Sequence, residues 1–355
     1  MRILVVGAGA SFSTKDVEVG LSKAFLAHEV ETELYALDRR IDLADRWVSY
    51  VWRYIHDKNP DLKPHWDDVV YRAGIGAIEM ALRLEPDWVF VISAMYFHPD
   101  VIVMMKRAGL KVAVLFTESP YEDIKQARVA QLVDMCWVNE RTSVEYMRQL
   151  NPNTYYYQHA TYDPGVGAVQ SSNKCSVSPN MPAHDVVFVG SGFQERLDLL
   201  DSVDWTGLNV GLYGSWSLLP SRHRLRKHIK GGIVSAVETR DLYRRAKIGL
   251  NLYRRSREYS TTAELITSAE SANPRAYDLA FDRCFSLSEY RKEAEDVFGD
   301  SQPFFEGPKE LRELIDRYLD DGAERQRLAN LAYERVQEHT FLNRAGDILT
   351  RLQCQ

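Results

Sequence analysis

The run Asp185-Val-Val-Phe-Val-Gly190-Ser191-Gly192-Phe193-Gln194-Glu195-Arg196 reads as a strand that ends in small residues and turns into a helix. Apolar β-branched and aromatic residues bounded by glycine make a short buried strand. Arg196 then falls in the first turn or two of the next helix, where a guanidinium can hold a phosphate beside the positive end of the helix dipole. An ordinary arginine on the surface of a crossover helix fits the run equally well.

Outward from that run the pattern repeats. Downstream come Leu208 to Gly214, a short apolar segment near Ile233-Val234, Lys247 to Leu252 and Cys284 to Leu287; upstream, strands are expected at 2–6, 32–37, 88–93, 111–116 and 134–138. Helical spacing fills the intervals at 17–28, 67–83, 99–108 and 141–149, while 40–66, dense in tryptophan, tyrosine and charge, reads as an irregular insertion. Short apolar runs alternating with amphipathic segments are the signature of parallel strands joined by helical crossovers, so the class is α/β. Between Asp163 and Asp185 the periodicity collapses into Gly, Ser, Asn and Pro, the composition of a linker. The expected organisation is a first Rossmann-like domain at 1–162, a linker at 163–184 and a second Rossmann-like domain at 185–355. Helices at the C-terminus begin at Pro308, with Leu311, Leu314, Ile315 and Tyr318 on one face, and run to about Leu352.

Composition sets the outer bounds. At roughly 150 residues per domain, 355 residues suit two domains, and 45% hydrophobic with 26% charged residues supplies each with a core. Lysine plus arginine number 44 against 50 acidic residues, a net charge of −6, so no overall field draws the chain to nucleic acid or anionic membrane. Cys136, Cys175, Cys284 and Cys354 form no C-x-x-C pair, which points to reduced thiols and a cytoplasmic protein rather than a zinc ribbon or disulfide framework. The longest apolar stretch, Trp88 to Phe97, is ten residues, half of the roughly 20 that span a bilayer. Met1 to Val6 runs directly into Gly7-Ala8-Gly9 and charged residues, as a buried first strand does and a signal peptide does not.

Several strand ends carry candidate chemistry. Gly7-Ala8-Gly9-Ala10-Ser11 follows a strand and precedes a helix, the setting in which backbone approaches a phosphate. The third glycine of a dinucleotide fingerprint falls at Phe12, however, and Asp38 is the only acid placed for a ribose. A tight strand-to-helix turn is the plainer reading, and Gly9 and Ser11 can equally face an acceptor. Tyr213-Gly214 closes a second strand, and Val234 to Glu238 leads into another helix. In Ser268-Ala-Glu270-Ser-Ala-Asn273-Pro-Arg275-Ala-Tyr277-Asp278, Pro274 near a helix start sets Arg275 beside free backbone donors, a cation at a positive helix end. Glu270 and Asp278 can bind sugar hydroxyls, or can be a cap and an exposed helix acid.

At these residues the chain resembles the C-terminal domain of GT-B glycosyltransferases, specifically the CgeB-like (spore-maturation) group. The resemblance rests on Val187 to Ser191 with Glu195-Arg196, on Leu212-Tyr213-Gly214, on Leu242 to Asn251, and on Asn273-Pro-Arg275-Ala-Tyr277-Asp278. The tail agrees in order, through Pro303 to Leu311, Glu324 to Ala329 and Glu338 to Arg344. In the first half it is carried by Glu85 to Val89, Phe116 to Pro120 and His159 to Pro164. It implies two facing Rossmann-like domains of the GT-B type, a nucleotide-sugar donor bound by the second and an acceptor by the first, and neither metal nor cofactor. Two departures stand out: Asp278 takes the place of a second glutamate, and Arg283 the place of a glycine in the following turn.

The function these readings imply is metal-independent transfer of a sugar from a nucleotide-sugar to a glycan, protein, lipid or modified nucleic acid. The expected donor-binding residues are Gly190, Ser191, Arg196, Tyr213, Gly214, Glu238, Glu270, Asn273, Arg275 and Asp278. Glu118 and His98, beyond two strand ends, are the candidate bases, each with a local structural role as its alternative, and Gly9, Ser11 and His159 are placed on the acceptor side or between domains. Arg222 to Lys230 and Arg254-Arg255-Ser-Arg257 are dense basic stretches able to follow a polyanion such as DNA or a cell-surface polymer, although a solvated helix face explains them more simply. Two other classes remain open: a nicotinamide- or flavin-dependent oxidoreductase using Gly7, Gly9 and Asp38, and a noncatalytic sugar-nucleotide-binding protein.

Overall fold

The computed structural model describes residues 1–9, 12–162 and 183–354. The chain divides into two compact units, one of Met1–Gln158 with Phe341–Gln355, the other of His159–Thr340.

The first unit is built on β1 (Arg2–Val6), β2 (Glu31–Tyr35), β3 (Trp88–Ile92), β4 (Val112–Phe116), β5 (Met135–Val138) and β6 (Thr154–Tyr156). They lie in the order β2-β1-β3-β4-β5-β6 with every neighbouring pair parallel. Helices cover both faces, so β3 and β4 are buried at every position; a strand enclosed on both sides reads as continuous Val, Ile and Phe rather than as an alternation. The three-residue edge strand β6 has no such run and was not expected.

Two sequence expectations are corrected here. The stretch 40–66 is irregular only over 55–65: Leu37–Tyr54 is one helix, burying Leu37, Ile41, Ala44 and Val48 against the helix Trp66–Leu84. Nor does the second domain extend to 355. The last helix, Phe341–Gln353, belongs to the first unit, where it buries Phe341, Ala345, Ile348, Leu349 and Leu352 and packs along Phe12–Ala27. The Phe341 ring fills the space over Gly20, where a Cβ would come within 2.2 Å of it, and the Trp88 indole N–H donates to the Leu352 carbonyl at 3.2 Å. Of the expected linker 163–184, residues 163–182 lie outside the described residues.

The second unit carries β7 (Val186–Val189), β8 (Val210–Tyr213), β9 (Ile229–Gly231), β10 (Ile248–Asn251), β11 (Ser286–Glu289) and β12 (Phe304–Phe305). Their order is β12-β11-β10-β7-β8-β9, again parallel throughout. The third strand is Ile229–Gly231 rather than the segment near Ile233, whose side chain is exposed. Helices Pro308–Asp320 and Gly322–Val336 bury Leu311, Ile315, Tyr318 and Leu328 on one side of this sheet.

The chain leaves β7 toward β8 in one direction and returns by the helix Ala236–Arg245 to β10 in the other. Adjacent loops therefore diverge above β7 and β10, which is where open parallel sheets leave a crevice for a ligand. In the first sheet the corresponding reversal falls between β1 and β3.

Candidate functional site

The loops at the carboxyl ends of β7, β8 and β9 are joined by their backbones. Gly190 N–H donates to the Tyr213 carbonyl at 2.8 Å, Gly192 N–H to the Ser215 carbonyl at 2.7 Å and Gly214 N–H to the Gly232 carbonyl at 2.9 Å. Gly214 sits at φ +127°, and a Cβ there would meet the Gly190 carbonyl oxygen at 2.1 Å; no other residue fits that crossing. The expectation that the Gly190 N–H faces a phosphate is corrected, since the neighbouring strand's end engages it.

Arg275 spans the reversal itself. Asn273 accepts the Ala276 N–H at 3.1 Å and Pro274 opens the helix Pro274–Phe281, a cap and a first residue that start the helix at this point. Arg275, one residue on, donates through Nε to the Val189 carbonyl at 2.9 Å and through Nη1 to the Leu252 carbonyl at 3.0 Å and to Asn251 Oδ1 at 3.4 Å. Its guanidinium lies 4.7 Å from the centre of the Phe188 ring. A Cβ on Gly190 would stand 2.5 Å from Nη2, so glycine at 190 makes the room that Arg275 uses.

Arg196 approaches the same ring at 5.6 Å, donates through Nη1 to the Ser191 carbonyl at 2.9 Å, and lies 5.3 Å from the Phe193 ring centre. Arg254 covers Phe193 at 4.8 Å. Three guanidiniums thus share two aromatic rings. Carbonyl oxygens and a ring face orient a cation without cancelling its charge, and the Val189, Leu252 and Asn251 oxygens that Arg275 donates to are all neutral.

Two carboxylates outside the expected site residues hold the loop after β10. Glu195 is buried and accepts the Ser256 hydroxyl and the backbone N–H groups of Arg255 at 2.7 Å and Ser256 at 3.1 Å. Burial pushes its carboxyl upward, but these hydrogen bonds outweigh it and leave the pKa below the ordinary glutamate value. Glu289 accepts the Tyr253 N–H at 2.7 Å and Arg255 Nη2 at 2.9 Å. The available signal was the clustering of Arg254, Arg255 and Arg257, which needs an internal anion to hold such a loop in one conformation.

The remaining expected donor residues are placed as follows. Tyr213 is buried, with His184 Nε2 at 2.9 Å from its hydroxyl, so its side chain belongs to the sheet. Glu238 forms a capping box with Ser235, whose backbone N–H and hydroxyl hold its carboxyl below the usual range. Glu270 is exposed; its carbonyl accepts the Glu293 N–H at 3.0 Å, and the buried Glu293 carboxylate accepts the Ala272 N–H at 2.6 Å. Asp278 Oδ1 accepts the Thr161 hydroxyl at 3.0 Å. Arg283 does occupy a glycine-like backbone position, at φ +53°, with its guanidinium 3.6 Å from the Tyr333 ring centre and Nη1 2.8 Å from Asn330. In the basic stretch 222–230, Arg224 pairs with Asp201 and Arg226 donates to the Leu219 and Pro220 carbonyls, internal contacts that favour the plainer account of this segment.

In the first unit the glycine turn after β1 meets an anion of the chain's own. The buried Glu18 carboxylate accepts the Ala8 N–H at 3.0 Å and pairs with Lys15 at 2.7 Å, and Lys15 also holds Asp38 at 3.0 Å. A Cβ on Gly7 would strike Glu18, and Gly9, at φ +80°, lies against Tyr96. Glu18 thus engages a backbone donor of this turn and Lys15 engages Asp38, an arrangement that does not suit a dinucleotide; Ser11 lies outside the described residues. His98 caps the helix Pro99–Arg107, its Nδ1 accepting the Asp100 N–H at 3.2 Å. Glu118 stands two residues beyond β4 on a loop fixed by its own N–H to Gln126 Oε1, by Ser119 N–H to Asn139 at 3.0 Å and by Gln126 to the Ser119 hydroxyl at 2.8 Å. His159 is buried at the start of the second unit. Among the described residues no three His, Cys, Asp or Glu side chains are grouped to hold a metal ion, and no helix is long and apolar enough to cross a membrane.

No curated protein sequence matches the chain. Solved structures match over its whole length at low identity. Sucrose-phosphate synthase from Thermosynechococcus elongatus covers 100% of this chain and 99% of its own at TM-score 0.62 and 10% identity. Anabaena HepE in complex with UDP-glucose covers 100% of both at 0.60 and 11%. UDP-GlcNAc 2-epimerase from Neisseria meningitidis bound to UDP-GlcNAc covers 100% of both at 0.55 and 10%. The two parallel sheets are therefore those of a GT-B-type fold, and residues 195–350, from the buried Glu195 through Arg275 and into the last helix, match the family model described as glycosyl transferase-like.

Proposed function

We propose that this chain is a glycosyltransferase that takes a sugar from a nucleoside-diphosphate donor held on its second unit, without metal or cofactor, and works in the cytoplasm, in keeping with the unpaired thiols of Cys136, Cys284 and Cys354. The observation that carries this reading is Arg275, held across the ends of β7 and β10 by neutral partners, with Arg196 against the same Phe188 ring. When the anomeric C–O bond breaks, its electron pair passes to the diphosphate. Fixed cations at that oxygen then stabilise the transition state more than the ground state. Because Val189, Leu252 and Ser191 carbonyls already orient the two guanidiniums, little reorganisation accompanies the step.

In this reading Asp278 and Glu270 accept donor hydroxyls, and Glu118 takes the proton of the attacking hydroxyl. The match over 195–350 supports transfer over epimerisation, although the fold is shared with an epimerase. UDP-, GDP-, CMP- and dTDP-sugars incubated with the protein in chelator test it. Release of nucleotide and sugar transfer from one donor is expected, and its loss in Arg275→Ala; conversion of a UDP-sugar to its epimer would replace this reading, and no binding of any of the four would remove it.

A further inference from the structure

The helix Leu37–Tyr54 has two apolar faces, and only one is buried. Leu37, Ile41, Ala44 and Val48 face the core, whereas Leu43, Trp47, Tyr50 and Tyr54 are 59%, 50%, 58% and 71% exposed. Their spacing of four, three and four residues sets them in one stripe at 3.6 residues per turn. The rings make contacts on the surface: the Tyr50 and Tyr54 ring centres lie 4.8 Å apart, and Arg72 of the neighbouring helix covers Trp47 at 4.5 Å. Isolated exposed aromatics are ordinary, but a contiguous row marks an interaction surface.

Charge decides the partner. Arg39, Arg46 and Arg53 recur every seven residues, which places them as a row along one border of the aromatic stripe, and all three are exposed. Asp38, Asp42 and Asp45 fall on the side beyond that row, away from the stripe. The order around the helix is core face, exposed aromatic face, cationic row, acidic row. Packing of this stripe antiparallel against a second copy would set one arginine row beside the other, like charges that oppose association. Tryptophan and tyrosine with adjoining arginines are instead the residues that settle at the boundary of anionic headgroups and acyl chains.

We infer that the helix Leu37–Tyr54 docks the first unit onto an anionic lipid surface, with Trp47, Tyr50 and Tyr54 entering the headgroup boundary and Arg39, Arg46 and Arg53 meeting lipid phosphates. The inference stands independently of the transfer reaction. Its test is sedimentation of the full chain with phosphatidylcholine vesicles with and without phosphatidylglycerol, at low and high salt, together with its oligomeric state in solution. The expected result is binding to the anionic vesicles only, weakened by salt. It should fall by at least about ten-fold in Trp47→Ser/Tyr50→Ser/Tyr54→Ser and by about a hundred-fold in Arg39→Gln/Arg46→Gln/Arg53→Gln, with circular dichroism unchanged because these side chains are exposed. Wild-type protein that ignores both vesicles, vesicle binding that neither triple variant alters, or dimerisation abolished by the aromatic variant with no vesicle binding would each overturn it.

Discussion

The two sheets reverse their strand order in the same way and treat the reversal oppositely. Above β1 and β3 the chain supplies its own carboxylate: Glu18 accepts the Ala8 N–H, and Lys15 pairs with both Glu18 and Asp38, one cation against two anions. Above β7 and β10 it supplies cations, with Arg275 and Arg196 fixed by carbonyls and aromatic faces. Open parallel sheets leave a crevice at such a reversal; in the proposed function the sign of the charge built there sets which one accepts an anion. A glycine-rich turn is therefore a weak signal unless the helix that follows it is checked for an internal anion, and Gly7-Ala8-Gly9 with Glu18 shows why.

Substitutions can break this contrast or sharpen it. The largest effect is expected from Gly214→Ala, which forces a Cβ onto the Gly190 carbonyl at φ +127°; unfolding by denaturant should show a loss of about 3 kcal/mol together with loss of nucleotide binding. Glu18→Gln removes the anion from the first turn. It should cost about 2 kcal/mol and leave sugar-nucleotide affinity on the second unit unchanged, and a gain of NAD binding would show that Glu18 alone distinguishes the two crevices.

Glu195→Gln probes what holds the cations in place. The folded pKa of Glu195 lies below its unfolded value, so its contribution is complete above about pH 4.3 and is lost as pH falls from there through the folded value. The variant should be less stable at neutral pH, and its stability should decline less steeply than that of the wild type as pH falls below about 4.3. The smallest change is expected for Glu238→Ala, about 1 kcal/mol from a lost capping box, with sugar-nucleotide affinity unaltered.

What could be read in the sequence followed local pattern. β1, β3, β4, β7 and β10 were legible because strands buried on both faces leave continuous apolar runs. The helix Leu37–Tyr54 was not: it separates apolar from charged residues, but its density of tryptophan, tyrosine and charge reads as an irregular insertion in place of that helical spacing. The last helix read correctly as a helix but not as part of the first unit, because Phe341 over Gly20 is a long-range fit with no local trace. Asn273-Pro-Arg275 disclosed, through its cap and first-turn proline, the helix start that sets Arg275 across the ends of β7 and β10. Tyr213 and Glu238 contact His184 and Ser235, partners without a local trace, since a strand-end tyrosine and a first-turn glutamate look alike in sequence whatever they face.

In the proposed function the second unit binds diphosphate through Arg275. Calorimetric titration of the wild-type protein and of Arg275→Lys with the nucleoside diphosphate of the active donor tests it most directly. Lysine keeps the charge but cannot span Val189 and Leu252 with one fork, so affinity should fall about 100-fold, the equivalent of about 2.7 kcal/mol. Equal affinity in the two proteins would contradict the account.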